Sequence, residues 1–304
     1  MKTIKIGTRG SPLAMTQTRA VEAALKAAFP DLSVEIVEIL TSGDWKPSDG
    51  EVRLSEAAGG KGQFASEIEA QLLSGEIDAA VHSMKDMDSF LPDGLVINHM
   101  MEREDPRDCL LFADRSLAAL AETAIVGTAS VRRAAFLLAD RPDLKIVPFR
   151  GNVQTRIDKI RGSEVIDCTL LALAGLKRLG LEDEADIVLS VDEMLPAAGQ
   201  GAVGIETRED DGDVQALFDA IACSDTLKRV QAERAALAVL DGSCHTPIGA
   251  HAVLEGAQVY LRVKVVSQDG AQMFEGEGRG EDSLALGVDV GAAIKARLPD
   301  GFLA

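Results

Sequence analysis

GTASVRR, Gly127–Arg133, and RGNVQTR, Arg150–Arg156, set four arginines beside small and glycine residues. Each turn follows a short apolar run that reads as a strand, AIVG and LKIVPF, and leads into a helical pattern. The arginines therefore fall where strands give way to helices, the edge at which open α/β sheets bind ligands. Arginine holds a carboxylate or phosphate in a flat two-point fork and keeps its charge when partly buried. Together the two turns predict an α/β fold built to hold an anion with several negative charges.

The rest of the chain is strongly acidic. Its 304 residues carry a formal net charge of -18, with 46% hydrophobic and 4% aromatic residues. That length admits two or three domains. The charge excludes nucleic acid and an anionic membrane surface as partners, because nucleic-acid binding needs net phosphate neutralisation. No run is long and apolar enough for a membrane span. An anionic ligand must then be gripped by a local cation cluster, since the long-range field repels it. The start, MKTIKIGTRGSPLAM, shows no basic region followed by an apolar signal core. Cys109, Cys168, Cys223 and Cys244 lack CxxC spacing, so neither zinc nor a disulfide framework is predicted. A reducing cytoplasm is the expected compartment.

Strand and helix patterns alternate from the start: strand Lys2–Thr8, helix Ser11–Ala28, strand Ser33–Leu40, helix Phe64–Ser74, strand Ile77–Val81. This is the signature of parallel α/β layers. The long polar stretch Thr41–Gly62 reads as a functional or a disordered loop. From about His99 the pattern restarts and predicts a second α/β domain, with strands at Ala124–Val126, Lys145–Phe149 and Cys168–Leu173. PAAGQGAVGIET spells Gly199-x-Gly201-x-x-Gly204, but its glycines lead into an extended run rather than a helix, so a dinucleotide site is not predicted. After Asp213 two helices, Val214–Ala222 and Thr226–Leu240, are expected, with Ser224 as an N-cap. A loop, a hairpin of Gln258–Val266 and Ala271–Glu275, and a closing helix near Ser283–Arg297 complete a small α+β domain.

Three further segments carry chemistry. HSMKD, His82–Asp86, directly follows an apolar strand, so Ser83, Lys85 and Asp86 should project into a crevice; on spacing alone an ordinary surface ion pair is the preferred reading of Lys85 and Asp86. GTRGSPLA places Arg9 at a strand end and Ser11 at a helix start, with Pro12 in the first turn, where free amides accept an anion. GGKGQF adds Lys61 on a glycine-rich loop without Walker spacing. Cys109, Cys168 and Cys223 read as small core residues. Cys244 lies in a loop after a long helix, whose C-terminal partial charge does not favour a thiolate. The histidines show no metal-ligand spacing, and no metal is predicted.

GTRGSPLA, GGKGQF, HSMKD, REDPRD, GTASVRR, RGNVQTR, LAGLKRLG, PAAGQGAVG, AERAAL and GSCHTPIG occur in the order and spacing of the porphobilinogen deaminase (hydroxymethylbilane synthase) family, which the chain resembles from Gly7 to Gly249. The resemblance implies two α/β domains like the lobes of type II periplasmic binding proteins and a small C-terminal α+β domain. The expected division is 1–98 with 198–217, then 99–197, then 218–304. It also implies a transferase that joins four porphobilinogens head to tail with loss of ammonia on a covalent dipyrromethane cofactor, then releases hydroxymethylbilane by hydrolysis. By motif, Cys244 is the attachment point and Asp86 the catalytic carboxylate. Ser83, Lys85, Ser130, Arg132, Arg133 and Gly151 match cofactor contacts. Arg9, Ser11, Arg150, Arg156, Arg178, Lys61 and Gln200 match substrate contacts. A cytoplasmic monomer is expected.

The chain departs from the family pattern in places. Ala57 stands where lysine is usual, Thr16 replaces an aromatic, and Gln63 a leucine. Ser243, His245 and Thr246 surround the cysteine where Gly and Val are frequent. Asp88 replaces the usual proline and sets a second carboxylate two residues from Asp86. The alternative reading is a two-lobed binding module for a small di- or tricarboxylate without chemistry. It would need neither Cys244 nor Asp86, and it predicts an export signal.

Overall fold

The computed structural model describes residues 3–41, 65–113, 116–242 and 246–303. The first unit opens with β1 (Thr3–Arg9), α1 (Pro12–Ala28), β2 (Ser33–Ile39), α2 (Ser66–Ser74), β3 (Ala79–Ser83) and β4 (Leu95–Met100). The chain then passes into a second unit: β5 (Asp108–Leu111), β6 (Ile125–Gly127), α3 (Val131–Asp140), β7 (Lys145–Val147), α4 (Val153–Arg161), β8 (Cys168–Ala172), α5 (Leu173–Arg178) and β9 (Ile187–Val188). It returns as β10 (Val203–Arg208) and α6 (Gly212–Asp219). A third unit follows from α7 (Ser224–Val239), β11 (Ile248–Glu255), β12 (Gln258–Val266), β13 (Met273–Gly280) and α8 (Ser283–Lys295).

The two larger sheets share one plan. Their strand orders are β2-β1-β3-β10-β4 and β7-β6-β8-β5-β9. Four strands of each run parallel, and the fifth, β10 or β5, lies antiparallel between two of them. In each sheet that antiparallel strand is the one laid down as the chain arrives from the other unit. Helices cover both faces of the first sheet. Ile4, Ile6, Val21, Leu25 and Phe218 fill one side, and Ile39, Ile68, Leu72 and Ile77 the other. Sheets buried on both faces need such near-continuous apolar strands. The two-lobed α/β plan with a small C-terminal unit is the expected fold class.

The third unit is a three-stranded antiparallel sheet rather than a hairpin. β11 pairs along its whole length with β12, from Ile248↔Val265 to Glu255↔Gln258. Ala250 and Ala252 alternate inward on β11 and carry too little apolar weight to announce a strand. Ser224 is the first residue of α7, and the capping position belongs to Cys223, with no side-chain cap. Cys223 is therefore half-buried at a helix start rather than a core residue, whereas Cys109 and Cys168 are buried and burial pushes both thiols up to about 12.

One buried carboxylate joins all three units. Glu233 of α7 accepts from Arg103 Nη1 at 2.6 Å and Nη2 at 3.1 Å, and from the backbone amides of Gly199 and Ala252 at 2.7 Å each. Arg103 lies on the outward crossing between β4 and β5, and its Nε donates to the Gln200 carbonyl on the returning crossing at 2.9 Å. The crossings touch: Glu104 N donates to Gly201 O at 3.1 Å. Gly201 has φ +85°, and a Cβ there would fall 2.4 Å from Glu104 O, so only glycine fits. Truncating one member of a buried pair leaves the other charge uncompensated, at about 3–5 kcal/mol. Glu233→Ala should therefore lower the unfolding free energy measured in urea by about that amount, against little change for Glu255→Ala in an exposed pair with Arg279.

Candidate active site

Four strand-to-helix turns converge at the C-terminal edges of the two large sheets. β1 ends at Arg9, and Ser11 caps α1, its Oγ accepting from Ala14 N at 3.3 Å. β3 ends at Ser83 and runs into a single 3-10 turn, Met84–Asp86. β6 leads to Ser130, whose Oγ accepts from Arg133 N at 3.4 Å. After β7, Asn152 caps α4 by accepting from Thr155 N at 2.9 Å. Gly151 before it has φ +122°, and a Cβ would lie 2.8 Å from Thr155 Cγ2. Local capping thus fixes the turns at Ser11, Ser130 and Asn152, whereas Ser83 makes no side-chain cap and its turn is held by Met84 N donating to Ala202 O at 3.1 Å; all four turns bring a cation to one cleft.

The turns enclose a cleft of about 900 Å³. Arg9, Lys85, Arg132, Arg133, Arg150, Arg156 and Lys159 line it, against two carboxylates, Glu38 and Asp86. The cleft is locally cationic in a chain of net charge -18, as an anion site in such a field requires. Ser11, Ser130, Gly151 and Gln200 also line it. Burial pushes the Lys85 ammonium down to about 8, with Asp86 opposing the shift and Arg133 reinforcing it.

Arg132 and Arg133 are held from beneath by a residue that sequence reasoning missed. Asp108, fully buried at the start of β5, accepts from Arg132 Nη2 at 2.6 Å, Arg133 Nη2 at 2.8 Å and Gln200 Nε2 at 2.9 Å. Burial alone would raise its carboxyl, but the two guanidiniums hold it well below the usual carboxylate range. Arg132 Nη1 and Arg133 Nη1 donate to the carbonyls of Leu195 and Leu170. The Nε of each remains buried without a partner among the described residues. The available signal was an aspartate opening the apolar run CLLF, a position that needs a buried counter-charge. Lys159 was also missed; it sits one turn beyond Arg156 on α4, and its Nζ donates to Arg150 O at 3.0 Å.

Several expected residues lie elsewhere. Arg178 is not part of the cleft lining, and its Nη2 donates to Gly201 O at 2.6 Å. Gln200 lines the cleft but spends its amide on Asp108 and on Pro106 O. Ser83 faces a smaller side cavity. Asp88 lines neither cavity: it does not share the cleft with Asp86, and its charge bears on Arg234 and Glu69 instead. The Arg234 guanidinium donates to the Met87 and Asp88 carbonyls, and Ser89 Oγ donates to Gly242 O at 2.6 Å, so the third unit grips the segment after Asp86. Lys61, Cys244, Ala57, Gln63, Ser243 and His245 lie outside the described residues. Among the described residues no group of three potential metal ligands comes together, and no helix is long and apolar enough to cross a membrane. His82 and His99 are instead paired with Glu206 and Asp219, each at 2.9 Å.

A two-lobed cationic cleft with Asp86 in its lining and a third unit clamped behind it defines a class, which comparison with known proteins narrows. Residues 4–216 match the family described as porphobilinogen deaminase, dipyromethane cofactor binding domain, and residues 227–296 match its C-terminal domain. Porphobilinogen deaminase of Nitrobacter hamburgensis is 46% identical over 302 residues, covering 98% of this chain and 94% of that protein. The Syntrophomonas wolfei protein of that name is 48% identical over 277 residues, covering 91% and 89%. Among solved structures, a methionine-binding protein aligns over 76% of this chain and 94% of its own, at 15% identity and a TM-score of 0.44. The chain belongs to the porphobilinogen deaminase family. It is an enzyme of tetrapyrrole biosynthesis that polymerises porphobilinogen, and its cofactor is dipyrromethane.

The described cleft fits that cofactor. Two pyrroles bearing carboxylate arms need cations on more than one wall, and the buried Nε atoms of Arg132 and Arg133 are donors still to be met. Lys85 offers a pH test. Below about 8 its ammonium is charged and can hold a carboxylate; above, it is neutral. The value of kcat/KM should therefore fall on an alkaline limb centred near 8, and Lys85→Arg should shift that limb upward in a pH–rate profile.

Proposed function

We propose that Asp86 is the catalytic carboxylate for each porphobilinogen addition, with the cleft cations as carboxylate grips. The observation that carries this reading is that Asp86 shares one cleft with seven cations among the described residues, on a turn held by Ala202 O at its start and by Arg234 just beyond it. Loss of ammonia from the aminomethyl arm leaves positive charge on the substrate. A carboxylate stabilises that charge and can carry a proton between the amine and the pyrrole. Lys85, Ser130, Arg132, Arg133 and Gly151 are assigned to the cofactor's carboxylate arms, and Arg9, Ser11, Arg150 and Arg156 to the incoming substrate. Each added pyrrole brings two carboxylates, which accounts for cations on both walls. Ser83 and Lys61 keep their motif-based assignments, whereas Arg178 and Gln200 act through the crossing segments. When bound, dipyrromethane supplies the nucleophilic pyrrole carbon on which the chain grows.

Cys244 is assigned as the attachment point. The proposed division is 1–98 with 198–217, 99–197 and 218–304. In support, the antiparallel β10 completes the first sheet from beyond the second unit. A cytoplasmic monomer is the proposed state, consistent with the free thiols of Cys109, Cys168 and Cys223.

Intact mass under denaturing conditions should exceed the sequence mass by two pyrrole units, located on the peptide holding Cys244. An unmodified, fully active chain overturns the attachment. Asp86→Asn should keep the thermal transition of the parent while turnover falls by about 10²–10⁴-fold, the range for a lost proton-transfer group; retention of most activity overturns the assigned role.

A further inference from the structure

Behind Asp86 lies a second cavity of about 50 Å³. Arg9, Ser11, Leu13 and Asp86 line both it and the main cleft, so the two adjoin across these residues. Gln17 of α1 with His82 and Ser83 of β3 complete the polar wall of the small cavity, His82 having its Nε2 paired with Glu206. Gln17 lies on the core face of α1 and is 3% exposed. Its Nε2 has no hydrogen-bond partner among the described residues. Buried amides in proteins are met by a protein group or by ordered water. At about 10–15 Å³ of accessible volume each, a few waters fit this space, and a pyrrole ring does not. A water can accept from the Gln17 amide while donating to the Asp86 carboxylate, and Ser83 offers a further partner. The ammonium leaving the substrate has donors only, so it does not answer the amide.

We propose that this cavity holds the water that releases the finished tetrapyrrole, with Gln17 as the positioning residue for that water. The proposal rests on the assignment of Asp86 made above. In the step, the water oxygen bonds to the terminal methylene carbon of the product as the bond from that carbon to the primer breaks. The bonding electron pair stays with the primer carbon. The proton lost by the water passes through Asp86 to that same carbon, so the product leaves as an alcohol and the primer regains its C–H. The preceding additions expel ammonia and consume no water. Losing the water should therefore slow release and spare elongation.

The test uses the holoenzyme carrying Gln17→Met, which keeps side-chain length and removes the amide. Ammonia formed during the first four additions should stay within twofold of the parent. Release of hydroxymethylbilane should fall tenfold or more, and intact mass should show chains carrying four or more added pyrroles accumulating. Ala14→Leu, which fills the cavity from α1 with the amide intact, should give the same split and carries the test if Gln17→Met fails to fold. High-resolution crystal structures should show an ordered water on Gln17 Nε2 in the parent and none in Gln17→Met. Equal losses in ammonia formation and release, no loss in either, or a parent cavity without that water overturn the proposal. A parent chain whose mass lacks the two pyrroles overturns the functional reading instead.

Discussion

The buried pair of Arg103 and Glu233 is the contact on which the arrangement of the three units depends. Neither residue touches the cleft, yet their partners lie on both crossing segments, on α7 and on β11. A carboxylate removed from water has to be met on every lone pair, and Glu233 is met by one guanidinium and two backbone amides. That satisfaction is what specifies the geometry. An apolar residue at this position could fill the space, but it could not fix which backbone amides approach or in what order the segments stack. The third unit is thereby clamped across the junction of the two lobes, and from that position Arg234 and the Gly242 carbonyl hold the segment after Asp86.

Asp108 plays the corresponding part for the cleft. Two adjacent guanidiniums on α3 would repel each other if left to solvent and the ligand. Asp108 binds one nitrogen of each and leaves the triad with a single net positive charge. The arginines are thus held in place before any anion arrives, so less side-chain order has to be gained on binding. The same residue takes a hydrogen bond from Gln200 on the returning crossing. Cleft charge and lobe connection therefore share one buried aspartate.

Much of this was legible in the residues. The strand-to-helix turns were readable because a cap, a first-turn proline and a change of apolar period are local signals, and Ser11, Ser130 and Asn152 all serve as caps in the structure. The cations of those turns came together as expected. What escaped was set by tertiary partners. β11 was missed because two of its inward positions, Ala250 and Ala252, are alanines, whose apolar surroundings come from α7, β12 and α8. Ser224 had the composition of a cap, but the helix begins at Ser224 itself, two residues before the expected Thr226. Asp108 and Glu233 looked like two more acids in an acidic chain, and their burial follows from partners on other elements, 24 to 92 positions away for Asp108 and 19 to 130 for Glu233. The direction in which Asp88 faces was set by Arg234, on a helix of another unit.

The position of β10 also bears on how the chain is made. β4 pairs with β10 alone, and β10 lies between it and β3. During synthesis the first sheet therefore has a gap that nothing fills until Arg208 has emerged, by which time every strand of the second sheet exists. The second lobe can close from its own sequence while the first waits with two strand edges unpaired. Long-range pairing of this kind is slow, and exposed edges invite association with other chains. Nascent chains truncated between β9 and β10 would be the form most in need of a chaperone, and the last event in building the first lobe would be the insertion of a strand, not the collapse of a core.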